Sequence, residues 1–266
     1  MDPIIKKAYE AAQKGQSYAF ATVIEATLKG TPRKAGAKMV VLTDGSCVGT
    51  IGGGRKEKAV ILECQKALKN GRPSIVTYDY FGKEGQSVCG GQMKVLIEPF
   101  AGQKHFVICG AGHIALPLSV IGKMLNFKVS IVDNRPEFAD KKRFPHVDHI
   151  YLGSHVELFK KIKIDKNCYV MIITQGFEYD FNCLEFVLKS KAAYIGFISS
   201  KVKKIKFIRR LREKKFSEKS IQKIYAPMGF SIGAQTPEEI AVAIAAQMIA
   251  HQHKCLDGSL KYDYKY

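Results

Sequence analysis

The sequence predicts an α/β fold in two parts: a small N-terminal α+β domain over residues 1–103, then a Rossmann-like doubly wound parallel sheet over residues 104–266. Three observations carry this reading. From about residue 104, short apolar runs of strand length alternate with helical patterns, as expected of parallel strands joined by crossover helices. The first of these runs ends in a glycine turn, Gly110-Ala111-Gly112, that opens a helix. Before that point, strand-like segments are separated by glycine-rich loops, a texture of small mixed sheets.

Taken in order, MDPIIKKAYEAAQKG reads as an amphipathic helix, and SYAFATVIEAT and AKMVVLT as strands. KEKAVILECQKAL has helical spacing, and SIVTYDY and MKVLIEPF are two further strands. The second part begins with the buried strand HFVICG, the helix HIALPLSVIGKML and the strand KVSIVD. HIYLG, YVMIIT and AAYIGFI follow as short apolar runs with helical segments between them. TPEEIAVAIAAQMIAHQ closes the fold with Thr236 as cap, Pro237 at the first position and Glu239 three after the cap.

A chain of 266 residues, 46% of them hydrophobic, is long enough to build its core without staples. No apolar stretch approaches the roughly 20 residues that cross a bilayer, and the N-terminus lacks a signal-peptide pattern, so a cytoplasmic protein without a membrane association is expected. The seven cysteines include no CxxC pair and no zinc spacing, and most sit in core-like patterns. Cys89 differs, in the polar, glycine-flanked setting SVCGGQ. The net charge of +18, from 42 Lys plus Arg against 24 Asp plus Glu, favours anionic partners. Nucleic acid is not expected among them. The one dense basic run, Lys201–Lys215, carries Ile205, Ile208 and Leu211 at helical spacing and reads as the solvated face of a packed helix.

In the turn Gly110–Ala115, Gly110 permits the tight bend and Gly112 lets backbone amides approach a phosphate at the helix start, beside His113. Asp133 ends the next strand where a ribose-binding carboxylate is expected, and Arg135 beside it could pair with that acid or accept a phosphate. NAD(P) or another nucleotide is therefore one candidate ligand. The alternative is a turn that glycines merely close. Two loops of the first part are also anion-friendly: GTPRKAGAK, with Arg33, Lys34 and Lys38, and GTIGGGRKEKAV, where Gly52, Gly53 and Gly54 can form a nest of amides beside Arg55 and Lys56. Both could equally be tight turns with solvated charges.

In sequence order, TPRKAGAKMVV, GTIGGGRKE, VCGGQMKVLIEP, FVICGAGHIALPLS, VSIVDNRPEFA, YIGFISSKVKK and APMGFSIGAQTPEEIAVAIAAQMI resemble the xanthine dehydrogenase accessory factor family (XdhC/CoxI) over nearly the whole chain. The resemblance implies a maturation factor that is not itself a metabolic enzyme. Such a protein binds the molybdenum cofactor (molybdopterin), protects it while a cysteine desulfurase supplies a sulfido ligand, and passes it to a xanthine-dehydrogenase-like molybdenum hydroxylase; a homodimer is expected. Under it, Cys89, with Gly90 and Gly91 beside it, is the candidate metal ligand, a thiolate being matched in softness to sulfur-bound molybdenum. Three positions depart from the common pattern: Arg55 where many members carry Cys, Gln175 where many carry His, and Gln247 where a glutamate is common. The enzyme alternative, an NAD(P)-dependent oxidoreductase, needs a proton donor; His113 lies in the turn itself, where it can cap or pack as readily as react, and His146, His149 and His155 show no recognisable partner in the sequence.

Overall fold

In the computed structural model, residues 1–27, 31, 33–79, 91–253 and 255–256 are described, without the side chains of 155 and 156. The chain divides into two units, Met1–Gln103 and Lys104–Tyr266.

The first unit opens with α1 (Pro3–Gln13), which starts where Asp2 accepts the N–H groups of Ile4 and Ile5. There follow β1 (Tyr18–Ala26), β2 (Lys38–Leu42), β3 (Cys47–Gly49), α2 (Gly54–Asn70), β4 (Ser74–Asp79) and β5 (Gln92–Phe100). The five strands form an antiparallel sheet in the order β3-β2-β1-β5-β4. Alternation along the strands puts Ala19, Ala21, Val23, Met39, Val41, Met93, Val95 and Ile97 on one face. That face is buried against Val60, Cys64 and Ala67, spaced along one side of α2.

The second unit comprises β6 (His105–Cys109), α3 (Ala115–Met124), β7 (Lys128–Asp133), β8 (His149–Leu152), α4 (His155–Lys161), β9 (Cys168–Ile172), α5 (Phe177–Leu188), β10 (Tyr194–Phe197), α6 (Lys201–Glu213), α7 (Glu218–Ile221), β11 (Ile224–Tyr225) and α8 (Pro237–Gln252). Its six parallel strands run in the order β11-β10-β9-β6-β7-β8. The chain therefore builds outward from β6 on one side, then crosses back to β9 on the other. This reversal makes the switch point at which doubly wound sheets open a crevice at their carboxyl edge. Both faces are covered. Phe106, Ile108, Val129, Ile131 and Met171 pack toward α3 and α8. The alternate residues Val107, Cys109, Val132, Val170 and Ile172 pack with residues of α4 to α7. Burial on both faces is why these strands read as unbroken apolar runs in the sequence.

The predicted fold class is the one found. Two strands were not separately anticipated: β3 and β11 span only three and two residues, too few for a period to show. In the basic run, α6 does present a solvated face, but Ile205 is on it, 48% exposed. Phe207 and Leu211 are the residues it buries, Phe207 against Phe197 at 4.7 Å and Phe181 at 5.5 Å between ring centroids. The anticipated capping box at Thr236 and Glu239 is present. Among the described residues no helix is long and apolar enough to cross a membrane.

Gln247 has a structural task. Its buried Oε1 accepts the Tyr194 hydroxyl and, at 2.9 Å, the N–H of Gly229, so it ties α8 to β10 and to the loop after β11. Replacing Gln247 by Leu removes the acceptor of two inward donors. At about 1–3 kcal/mol per stranded group, a loss of roughly 2–6 kcal/mol is expected. Urea denaturation of Gln247→Leu should show it as a lower midpoint with unchanged slope.

Candidate functional site

The crevice begins at Gly110, whose φ of +111° is in the region that favours glycine. A side chain there would place its Cβ 2.4 Å from the carbonyl oxygen of Ile173, so the turn after β6 can lie this close to the end of β9 only with glycine. The Gly110 N–H donates to the Val132 carbonyl at 2.8 Å, tying the turn to β7 as well. Gly112 is different: a Cβ added there meets nothing within 4 Å.

Asp133 sits beneath the turn, only 1% exposed. Its Oδ2 accepts the Ala111 N–H at 2.6 Å and Arg135 Nη2 at 2.8 Å; its Oδ1 accepts the Arg135 N–H and Nε, both at 3.0 Å. Burial acts on this carboxyl to raise its pKa, but the bonds from Arg135 and Ala111 outweigh it and hold the pKa below the usual carboxylate value. Arg135 Nη1 reaches across to Gln175 Oε1 at 2.6 Å, and the guanidinium lies 4.1 Å from the centroid of the Phe138 ring. Arg143 grips the turn from its other side, donating Nη1 to the Ala111 carbonyl at 2.7 Å and Nη2 to the Gly112 carbonyl at 3.3 Å. With those carbonyls held, the N–H groups of Gly112, His113 and Ile114 have no hydrogen-bond acceptor among the described residues.

The other helix starts are provided for. Asp2, Ser200, Ser217 and Thr236 cap α1, α6, α7 and α8, and acidic residues stand in the first turns of α2, α4 and α5. Among the described helices α3 alone has neither a side-chain cap nor a first-turn acid. Its positive end has unused donors and a nearby guanidinium whose acceptors are all neutral carbonyls, an arrangement suited to an anion.

The glycine triplet before α2 has the same local chemistry, but the chain fills it. Glu57 Oε2 accepts the Thr50 hydroxyl at 2.5 Å and the N–H groups of Ile51 and Gly53, both at 3.1 Å, while the Gly52 N–H donates to Thr50 Oγ1 at 3.1 Å. An external anion at Gly52, Gly53 and Gly54 would have to compete with this carboxylate. Burial pushes the Glu57 pKa up, and the combined bonds from Thr50 and the loop amides bring it below its usual value. The signal was present in the sequence as a glutamate one helical turn into GGGRKE.

Arg33, Lys34, Arg55 and His113 are exposed, and Gly91 is buried at the entry to β5. Cys89 and Gly90, the thiol and its neighbour expected at a metal, lie outside the described residues. Among the described residues no three His, Cys, Asp or Glu side chains gather as a metal site. His146 does have a partner that sequence reasoning missed, Ser119 of α3, at 2.8 Å. Ser119 Oγ also lies 2.7 Å from the Leu116 carbonyl, to which its hydroxyl donates. Arg143 was also missed, because it stands some 30 positions from the turn it holds.

Comparison with known proteins gives two family matches. Residues 106–248 match the XdhC Rossmann domain, and residues 11–79 match the XdhC and CoxI family. The chain is 30% identical over 263 residues to the uncharacterized protein YqeB of Escherichia coli (strain K12), covering 96% of this chain and 47% of that protein. It is 26% identical over 153 residues to a Bacillus subtilis (strain 168) protein named as a probable xanthine dehydrogenase subunit, covering 58% of this chain and 43% of that protein. The chain thus spans less than half the length of either relative. A crystal structure described as a xanthine dehydrogenase from Bacillus halodurans shares the fold, with a TM-score of 0.52, 24% identity and 98% of each chain covered.

The carboxylates in these turns give a pH prediction. Glu57 and Asp133 have depressed folded pKa values, so their contribution is fully present above the ordinary values of 4.5 and 3.8 and is lost as pH falls through the folded ones. Asp180, buried between Thr174 and Lys203, has the opposite sign: burial raises its pKa, so it takes up its proton more readily when folded and opposes acid unfolding. In urea titrations at successively lower pH, Glu57→Gln should lose stability less steeply than the parent protein. Parallel slopes would show that Glu57 is not held by the loop.

Proposed function

Since the chain belongs to the XdhC and CoxI family, we propose that it serves the maturation of a xanthine-dehydrogenase-like molybdenum hydroxylase, binding the molybdenum cofactor by its phosphate and handing it on. The observation that carries the reading is the open turn before α3. Its amides at Gly112, His113 and Ile114 are unspent, its first turn holds no acid, and Arg143 adds positive charge without a carboxylate partner. These donors fit a phosphate. The name of the Bacillus subtilis relative, a probable component of xanthine dehydrogenase, supports a client of that class.

In this reading the chain contributes binding and shelter. The turn holds the phosphate. Cys89 is the thiolate offered to molybdenum or its incoming sulfur, which a cysteine desulfurase would supply. When bound, the cofactor supplies the redox-active metal that the client uses. Exposed Arg33, Lys34 and Arg55 of the first unit add to the positive charge of the chain, which favours anionic ligands in general.

Gly112→Val tests the turn, because a Cβ added there meets nothing within 4 Å and the substitution is expected to leave the protein folded. The added side chain stands where a phosphate would approach. Losing even one charge-assisted bond of about 1.5–3 kcal/mol predicts a fall in affinity of tenfold or more. The readouts are molybdenum and pterin content after purification from cells that make the cofactor, and activation of a cofactor-free hydroxylase. Retention by folded Gly112→Val equal to the parent's would remove the phosphate from this turn. For the thiol, Cys89→Ser should lower retention by at least about 10–100-fold, the range seen when metal sites lose supporting ligands. Equal retention would take Cys89 out of the site.

A further inference from the structure

The end of β7 says what kind of nucleotide the parallel-sheet unit can accept. Where a carboxylate ends this strand and recognises a ribose diol, it must have lone pairs to offer the two hydroxyls. Asp133 has none to spare. A carboxylate offers about four acceptor sites, and Asp133 receives four donors: the N–H groups of Ala111 and Arg135 and the Nε and Nη2 of the Arg135 guanidinium. It is also 1% exposed. A diol would have to break the bond that fixes the glycine turn or the fork that holds Arg135.

Arg135 is what the crevice meets instead. A guanidinium has five N–H donors in a rigid plane. Three of its donor groups are assigned, two to Asp133 and one to Gln175, and the plane is fixed against Phe138 at 4.1 Å. One N–H on each of Nη1 and Nη2 is left over, and the side chain is 20% exposed. Gln175, the partner of Nη1, is an exposed residue that can give way. The pairing also cancels the charge of Asp133, so the acid no longer repels an anion, while Arg143 adds a second guanidinium 5.1 Å from the same ring. A planar, oriented fork beside a neutralised acid suits bidentate contact with a phosphate on the ribose.

We propose that the parallel-sheet unit binds an adenosine ribose that carries a 2′-phosphate, as in NADP, in preference to one with a free diol, as in NAD, and that Arg135 makes the selection. The proposal rests on the reading that the α3 turn takes phosphate, and it adds a ligand class that the cofactor-delivery role does not require.

The test is calorimetric titration of the full chain with three probes: inorganic pyrophosphate, 5′-ADP and 2′,5′-ADP. The expected result is that 2′,5′-ADP binds at least about tenfold more tightly than 5′-ADP, a difference on the scale of one charge-assisted hydrogen bond. In Arg135→Leu the two nucleotides should bind equally, with pyrophosphate unchanged. Because that variant also strips donors from buried Asp133, a second one guards against misfolding. Gln175→Glu, at an exposed position, places a carboxylate on the same guanidinium and should weaken 2′,5′-ADP at least severalfold while leaving 5′-ADP alone. Equal or tighter binding of 5′-ADP by the parent, or a preference that survives in both folded variants, overturns the proposal. Pyrophosphate binding that depends on Gly112, with neither nucleotide bound, overturns it too while leaving the phosphate turn standing. If pyrophosphate binding is indifferent to Gly112→Val, the failure belongs to the proposed function.

Discussion

At one point in the second unit, a single buried carboxylate receives four donors from two different strand ends. Asp133 takes the N–H of Ala111 from the turn after β6, and it takes the backbone and guanidinium of Arg135 from the segment after β7. Much of the crevice follows from that convergence. The turn is held against β7 by Asp133 and against β9 by the close approach that only Gly110 allows. Arg143 then fixes the carbonyls of Ala111 and Gly112, and the amides of Gly112, His113 and Ile114 are left without an acceptor among the described residues. Buried donors and acceptors in such a cluster constrain each other, because stranding any one of them costs more than its bond contributes.

The two turns are thus both glycine-rich but differ in state. Before α2, Glu57 supplies the anion to the Ile51 and Gly53 amides, and Thr50 takes that of Gly52. Before α3, no side chain does so. An excess of cations over the whole chain, +18, raises the potential everywhere but cannot by itself choose between two loops. What distinguishes them is whether the chain's own carboxylate has already taken the oriented amides. Short-range, desolvated donors decide the matter, since exposed charges are screened within about 8 Å at physiological ionic strength.

The fold class was legible because burial leaves a periodic trace. Strands covered on both faces, such as Phe106–Cys109 and Val129–Val132, read as apolar runs, and Thr236, Pro237 and Glu239 announce α8 through local chemistry. Gly110, Gly112 and Asp133 were legible for the same reason, their roles being set by position relative to strand and helix. Arg143 and Ser119 were not, because their partners, the Gly112 turn and His146, are reached only through the tertiary fold. Glu57 is intermediate: it lies four residues from the amide of Gly53, but nothing in the sequence says whether a glutamate there turns back to the loop or out to solvent.

Under the proposed function an external phosphate finds its donors at the α3 turn and not at the glycine triplet before α2. Amide chemical shifts resolve the two turns in a single titration of the ¹⁵N-labelled chain with inorganic pyrophosphate. The account predicts saturable shifts of the Gly112, His113 and Ile114 amides, with those of Ile51 and Gly53 unmoved because Glu57 retains them. Shifts at Ile51 and Gly53 with none at Gly112 and His113 would contradict it.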